Sequence, residues 1–327
     1  MLGRVKEYTK AMPVLDLQLR RSAEGPAPGS TIVAFSLILF AVLNGSAPPL
    51  DAQQVIDTAF RVPVVRPAFA LGTGPMVLID QSHFNSIDST RYRPAIDLLR
   101  RDGYVVETLT GALTRSTLAR ARILVSFLYG SSARAAIARL RQQNPRLTNI
   151  GAFTDAEVAT VRDWVEAGGS FLLAVDHQPA PLAAAALAGS LGVHFLNGIA
   201  FIDPSARLIF RRADGTLLDH PITQGIEQVA TFGGSAFRLE RQGEPLLVLG
   251  ADVRMYFASD STEIAVNGWL QGAALTVGKG RVVVFGEAGM FTAQSNASGN
   301  PMGMNAAIAR QNPQLLLNAV HWLGGVP

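Results

Sequence analysis

Short apolar runs alternate with longer segments of helical spacing over most of the chain. Four runs have the length of a single strand: Met76–Asp80, Tyr104–Thr108, Ile123–Phe127 and Phe171–Val175. The first is apolar at every position until it reaches Asp80, and the last is apolar throughout and leads directly into Asp176. Runs of this kind predict strands buried on both faces, as in a parallel sheet with helices on either side.

The segments between these runs have the marks of helices. The clearest one opens with a capping box, in which Thr154 caps the helix and Glu157 reaches back to it. Helices are predicted over Arg91–Arg101, Thr154–Trp164, Pro181–Leu191 and Asn312–Trp322. Alternating strands and helices predict an α/β fold with a doubly wound, mostly parallel sheet.

One stretch departs from this alternation. Residues 193–270 contain short apolar segments separated by Gly, Asp and Pro, so we expect a β-rich insertion. After it, Leu275–Val277 and Val282–Phe285 flank Gly278-Lys279-Gly280, which predicts a hairpin. Because no repeat or linker is visible, residues 76–327 are expected to form one domain.

The chain before residue 76 has a different character. Residues 48–75 are interrupted by Pro and Gly and are expected to form an N-terminal arm. Thr31–Leu43 is uncharged, follows Arg20 and Arg21, and precedes the small residues Gly45-Ser46-Ala47. This order is typical of a signal peptide, and the run is short for a transmembrane helix, which needs about 20 residues. We expect residues 1–47 to be a signal peptide or N-terminal anchor, with the protein exported to the periplasm or cell exterior or anchored at the inner membrane.

Composition excludes several classes of function. Cysteine is absent, which rules out disulfides, a thiolate nucleophile and a Cys-based zinc site. The formal charge of +3 includes five bases and three acids within residues 1–45, leaving 23 bases against 22 acids. This balance argues against nucleic acid as the main partner, and membrane contact is expected only through an uncleaved N-terminal segment.

Polar side chains follow three predicted strands at the point where each strand ends. In an open parallel sheet, ligands bind outside the carboxyl ends of the strands. The residues at these ends are therefore expected to share one pocket. They are Asp80, His83 and Asn85 after the first strand, Asp176 and His177 after the fourth, and Glu287 after the last core strand.

These residue types suggest two chemistries. Asp80, His83 and Asn85 are expected to bind substrate or a divalent cation, for which imidazole and carboxylate ligands suit zinc, manganese or calcium. Without a metal, His177 is expected to act as general base beside the catalytic acids Asp176 and Glu287. A structural alternative stays open: the aspartates cap helices and the histidines form local hydrogen bonds.

Three further features carry weaker expectations. The amides of Tyr129–Ser132 follow a strand and open a helix, where they could hold an anion or simply be capped. The loop Met290–Asn305 is long, as lids and binding loops are. His194 and His321 have apolar neighbours in the sequence and are expected to be core residues. The chain has no G-x-S-x-G, P-loop or H-E-x-x-H motif, so a standard serine hydrolase is not expected.

Five segments, taken in order, resemble the DUF4350-type proteins of the class I glutamine amidotransferase-like superfamily. They are DQSHFN, AVDHQPAP, HPITQGI, GKGRVVVFGEAGMFTAQ and NPQLLLNAVHWL, within residues 75–325. The resemblance implies a flavodoxin-like sheet. Active enzymes of that superfamily carry a nucleophilic cysteine at the turn after a central strand, where this chain has Val175-Asp176-His177. Glutamine hydrolysis by that mechanism is therefore excluded.

Two functions are expected from these features. The first is an exported hydrolase of ester, lactone or amide bonds, acting on a small-molecule substrate through the His and carboxylate side chains. The second is a non-catalytic binding module of the cell envelope that keeps an amidotransferase-like pocket. Side chains gathered around a cleft would favour the enzyme, and side chains used up in capping bonds would favour the module.

Overall fold

The computed structural model describes residues 54–85, 91–144, 146, 150–203, 205, 207–296 and 298–326. The predicted leader, residues 1–47, lies outside these residues. The helices are α1 (Arg93–Arg101), α2 (Arg115–Leu118), α3 (Gly130–Gln143), α4 (Asp155–Glu166), α5 (Ala180–Ser190) and α6 (Asn312–Gly324). The strands are β1 (Val55–Ile56), β2 (Met76–Asp80), β3 (Val105–Leu109), β4 (Ile123–Leu128), β5 (Ser170–Val175), β6 (Val193–Phe195), β7 (Ile199–Phe201), β8 (Leu208–Arg211), β9 (Gln228–Thr231), β10 (Phe237–Leu239), β11 (Glu244–Val248), β12 (Arg254–Phe257), β13 (Thr262–Ala265), β14 (Leu270–Val277), β15 (Gly280–Phe285), β16 (Ala293–Ser295) and β17 (Pro301–Gly303).

The central sheet contains nine of the described strands. Its order is β3-β2-β4-β5-β15-β14-β10-β6, and β11 also pairs with β14. The neighbours from β3 to β15 are all parallel, which confirms the expected arrangement of the strands at 76–80, 171–175 and 282–285. The predicted hairpin is confirmed as the antiparallel pair β14–β15. The mostly parallel, doubly wound α/β fold is therefore observed.

Two hydrophobic cores lie on the two faces of this sheet. Along β15, Val283 and Phe285 pack into the core that contains α1 and α6, whereas Val282 and Val284 pack into the core that contains α4 and α5. Successive side chains of a strand point to opposite faces. Both faces are covered here, so every position must be apolar, which explains the continuous apolar runs in the sequence.

The region 193–270 is rich in strands, as expected, but it does not form a separate unit. Strands β6, β10 and β11 extend the central sheet in antiparallel fashion. Strands β7, β12 and β13 form a three-stranded sheet, and β8 pairs with β9. The only 3₁₀ helix in the described part of this region is Pro221–Thr223.

The described part of the N-terminal arm lies against the domain. Strand β1 pairs with β16, which in turn pairs with β17. Phe60, Val62, Val64 and Phe69 pack on the core beneath α1 and α6. Within the described ranges, no helix is long and apolar enough to span a membrane.

Candidate functional site

The six predicted site residues fall into two groups at the carboxyl edge of the sheet. Asp80 ends β2, Asp176 follows β5, and Glu287 follows β15. Asp80, His83 and Asn85 bond to one another and to neighbouring elements. Asp176, His177 and Glu287 line a separate small cavity. The pocket expected from the sequence is thus formed by three of the six residues.

The first group, which we call the His83 cluster, consists of Asp80, His83, Asn85, Ser126 and Glu157. The Nδ1 atom of His83 lies 2.9 Å from Oδ1 of Asp80, and its Nε2 atom lies 2.9 Å from Oε1 of Glu157. The other carboxylate oxygen of Asp80 accepts hydrogen bonds from Asn85 at 2.8 Å and from Ser126 at 2.9 Å. The imidazole is therefore held between two buried carboxylates.

Electrostatics within the His83 cluster favour an ion pair. Burial opposes charge on His83, but the bonds and charges of Asp80 and Glu157 outweigh it and raise its pKa above the usual value. Burial also opposes charge on Glu157. Hydrogen bonds from Thr154, Leu113 and His83 outweigh that effect and lower the pKa of Glu157 to about 2. Glu157 also completes the capping box at the start of α4, so it joins this helix to the loop after β2.

One side-chain oxygen of the His83 cluster, Oδ1 of Asn85, is buried without a hydrogen-bond partner in the described part of the chain, whereas the other ligand atoms are bonded within the protein. Both ring nitrogens of His83 are bonded to carboxylates. Oδ1 of Asp80 also accepts the amide of Ser82 at 2.9 Å. Among the described residues, no group of three or more His, Asp and Glu side chains is arranged to hold a metal ion. The residues do not fit the expected zinc, calcium or manganese site in this arrangement.

The second group centres on two buried carboxyl groups, Asp176 and Glu287, which we call the carboxyl pair. The exposed fraction is 3% for Asp176 and 2% for Glu287, and the two side chains are close enough for the charge of Asp176 to act on Glu287. Asp176 accepts the amide of Gly130 at 3.0 Å and that of His177 at 2.7 Å. Glu287 accepts the amides of Gly289 at 2.6 Å and Phe232 at 3.3 Å.

One proton is shared within the carboxyl pair. Burial, followed by the negative charge of Asp176, raises the pKa of Glu287 well above its usual range, although the amides of Gly289 and Phe232 act in the opposite direction. Asp176 lies at the N-terminus of α3, where the helix dipole stabilises negative charge. Two adjacent carboxyl groups cannot both ionise at low cost, so Glu287 holds the proton.

The carboxyl pair and His177 line a cavity of about 40 Å³. One water needs about 10–15 Å³ of such space, so the cavity has room for two or three. Nδ1 of His177 lies 2.9 Å from the carbonyl oxygen of Gln178, to which it can donate only if it carries the hydrogen. In the neutral ring Nε2 is then an acceptor, and it lies 4.0 Å from Oδ1 of Asp176.

Side chains from distant segments cover the same cavity. Gln54 accepts hydrogen bonds from the hydroxyl of Tyr129 at 2.6 Å and from Arg91 at 2.9 Å. Arg91 also donates to Gln294, whose amide donates to Tyr129 at 3.2 Å. Sequence reasoning missed Gln54, Arg91 and Gln294, and it identified Tyr129 only through its backbone amide. The long loop 290–305 was the available signal for Gln294, whereas Gln54 lies in the arm, far from the strand ends.

The weaker expectations had mixed outcomes. The first amide of α3 does hold an anion, and that anion is the chain's own Asp176. The loop 290–305 contains β16 and β17, and it contributes Gln294 and Met302 to the cavity. The core prediction is wrong for His194, which is exposed and pairs with Glu240 at 3.0 Å. His321 is half-buried and bonded to Asp102.

A larger cavity of about 470 Å³ lies at the opposite edge of the sheet, beside the C-terminal end of α6. Its two basic side chains are already engaged. Arg281 donates to the carbonyl of Trp322, and His321 bonds Asp102. The titratable side chains of the larger cavity therefore already have partners within the protein.

Comparisons with known proteins show the fold. No protein-family model and no curated protein matches the chain. The N-terminal domain of mmIFT52 is similar in structure, with a TM-score of 0.54 and 13% identity over 76% of this chain and 97% of that domain. Two proteins described as ThuA-like also match. The one from Bacteroides uniformis has a TM-score of 0.43 and 12% identity, over 80% of this chain and 94% of that chain. The one from Parabacteroides merdae has a TM-score of 0.41 and 10% identity, over 77% of this chain and 90% of that chain.

Proposed function

We propose that the chain is a hydrolase of ester, lactone or amide bonds that acts through His177, Asp176 and Glu287. One observation carries the proposal: the three side chains line the same cavity, which is large enough for a water molecule. Burying two adjacent carboxyl groups is costly, and groups with strongly shifted pKa values are concentrated at functional sites. We also propose that the chain is a DUF4350-type protein, on the strength of the five segments quoted above.

Each residue has a role in the proposed reaction. Nε2 of His177 takes a proton from water as the water oxygen bonds to the carbonyl carbon of the substrate. Asp176, at 4.0 Å, stabilises the imidazolium that forms. The proton on Glu287 is donated as a hydrogen bond to the carbonyl oxygen as negative charge develops there. When the bond to the leaving group breaks, the proton on His177 passes to that group.

Access to the cavity limits the substrate. A volume of about 40 Å³ admits water and a carbonyl group but not a whole small molecule. The side chain of His177 is 25% exposed, so the scissile bond must approach from its side. The remainder of the substrate would then lie outside the cavity.

A binding module is the second candidate. The observation in its favour is that all four oxygen atoms of the carboxyl pair already accept hydrogen bonds from backbone amides. In that case the pair would fix the loops after β5 and β15, and the cavity would hold only water.

A screen of esters, lactones and amides, with and without a chelator, tests the proposal. We expect His177→Ala to abolish hydrolysis, a loss of about 10³-fold or more, with little change in stability because His177 is partly exposed and lies outside the hydrophobic cores. Loss of activity on chelation would restore the expectation of a zinc, calcium or manganese ion. Full activity in His177→Ala would contradict the hydrolase mechanism, and no activity on any substrate would favour the binding module.

A further inference from the structure

Arginine is unevenly distributed along the chain, although the total charge is nearly balanced. Residues 108–154 contain seven arginines and neither aspartate nor glutamate. These arginines are Arg115, Arg120, Arg122, Arg134, Arg139, Arg141 and Arg146. An acid-free basic segment of this length creates a local positive potential that the total charge does not reveal.

Some of these arginines have partners elsewhere in the domain. Arg120 pairs with Glu107 at 3.0 Å, Arg115 lies 4.0 Å from Asp163, and Arg122 donates to the carbonyl of Gly168. The arginines of α3 differ from them. Across the described ranges, no ion pair joins Arg134, Arg139 or Arg141 to an acid; Arg139 and Arg141 are exposed, and Arg134 is half-buried.

The neighbouring helix adds an apolar surface. Helix α5 packs against α3 and contains no charged residue. Leu182 is 42% exposed on this helix, and the exposed Ala185 and Ala186 follow one turn further on. On α3, Ala135 and Ala138 are also exposed. We call the exposed side of these two helices the α3–α5 surface; it has arginines and small apolar side chains but no acid.

We propose that the α3–α5 surface docks on an anionic lipid bilayer. Guanidinium groups pair with lipid phosphates through two hydrogen bonds each, and a basic surface is attracted to the negative charge of such a bilayer. The apolar side chains of α5 can lie at the level of the headgroups, as they do in interfacial helices. A nucleic acid would leave this apolar half of the surface without a partner, because its backbone is polar throughout. This contact is independent of the N-terminal segment and of the proposed hydrolase activity.

A fluorescent label on α3 tests the proposal in the full chain. Because the chain has no cysteine, Ala138→Cys gives a single labelling position on the exposed side of α3, and Thr262→Cys gives one on exposed β13. An environment-sensitive dye at each position is titrated with vesicles of phosphatidylglycerol and phosphatidylcholine, or of phosphatidylcholine alone. We expect emission to rise at position 138 with the anionic vesicles only, to fall again in high salt, and to stay unchanged at position 262.

Charge variants identify the groups responsible. Combined with Ala138→Cys, Arg139→Gln and Arg141→Gln together should raise the anionic lipid concentration at half-maximal emission by about 30-fold. The matched control is Arg66→Gln with Arg207→Gln, two exposed arginines outside α3, which should have little effect. An equal response to neutral vesicles, an equal effect of the control pair, or a response to duplex DNA without one to anionic vesicles would each overturn the proposal.

Discussion

The His83 cluster and the carboxyl pair are built from the same residue types at the same edge of one sheet, yet their physical states are opposite. In the His83 cluster, each carboxylate faces the imidazolium, and hydrogen bonds satisfy the remaining oxygens. In the carboxyl pair, two acids face each other and share one proton. The first arrangement places opposite charges side by side, whereas the second places two acids side by side.

The difference separates stability from chemistry. The ion pair between His83 and Glu157 connects the loop after β2 to helix α4, and the polar atoms of these two side chains are all bonded within the protein. The carboxyl pair lines a space for water and includes a proton that can be donated. Position at a strand end therefore does not identify a functional residue by itself; the partners of its polar atoms do.

Among the substitutions that test this comparison, Glu287→Gln is expected to have the largest effect on hydrolysis. Glutamine has the same shape, but its amide N–H is a weaker hydrogen-bond donor than a carboxyl O–H, so hydrolysis should fall by about 10²-fold or more. Stability at pH 7 should stay equal or rise, because the cost of keeping a buried carboxyl group protonated at that pH is removed. Steady-state kinetics and urea unfolding measure both quantities, with exposed Glu240→Gln as the control. An infrared band of a protonated carboxyl group at pH 7 that persists in Glu287→Gln would contradict the assignment of the proton.

The His83 cluster should show the reverse pattern. His83→Ala leaves the carboxylates of Asp80 and Glu157 buried without a cation, which should lower the free energy of unfolding by about 3 kcal/mol. Activity in the folded protein should remain.

His194→Ala is the matched control, since it removes an exposed histidine that is also paired with a glutamate. Its cost should stay below about 1 kcal/mol. If His83→Ala kept its stability and lost activity, the roles assigned to the two groups would have to be exchanged.

A smaller effect is expected from Gly130→Ala at the start of α3. An added Cβ would lie 2.9 Å from Cε1 of His177 and 3.1 Å from its backbone carbonyl oxygen, so the ring must shift. Misplacement of a catalytic group by about 1 Å can cost about 10²-fold in rate. We expect a loss of that order in kcat, with stability changed by less than about 1 kcal/mol.

Gly189→Ala in α5 provides the control for that substitution. Its Cβ would meet only Cε1 of His194, at 3.8 Å, which is ordinary contact. Alanine is the better helix former, so this variant should keep its activity and gain up to about 1 kcal/mol in stability. Equal activity in both glycine variants would show that the position of His177 is unimportant.

The sheet was predictable from the sequence because burial on both faces leaves a local signature. The run Met76–Ile79, the capping box Thr154–Glu157 and the turn Gly278-Lys279-Gly280 each report a structure formed by neighbours in the chain. The strand-end rule also placed Asp176, His177 and Glu287 correctly around one cavity.

The partners of those residues could not be predicted in the same way. His83 is bonded to Glu157, 74 positions away, and Gln54 meets Tyr129 across 75 positions. No local pattern distinguishes a carboxylate that will face an imidazole from one that will face another carboxylate. The local sequence identifies Glu157 only as a capping residue, and its bond to His83 completes the His83 cluster.

The smallest effect concerns the pH dependence of stability, and it separates the two groups by its sign. The folded-state pKa of His83 is raised, so its stabilisation is complete below the unfolded value of about 6.5 and is lost as pH rises through the raised value. The pKa of Glu157 is lowered to about 2, so its contribution is present above about 4.5 and is lost as pH falls toward 2. The His83 cluster should therefore stabilise the fold most between about pH 4.5 and 6.5.

Glu287, with its raised pKa, favours folding most below about pH 4.5 and progressively less above it. Urea unfolding across this range gives the free energy of unfolding of the wild type and of each variant. The difference between the wild type and His83→Gln should shrink above pH 6.5. The difference between the wild type and Glu287→Gln should change in one direction only. A constant difference for His83→Gln from pH 5 to pH 9 would show that the imidazole does not gain its charge from these two carboxylates.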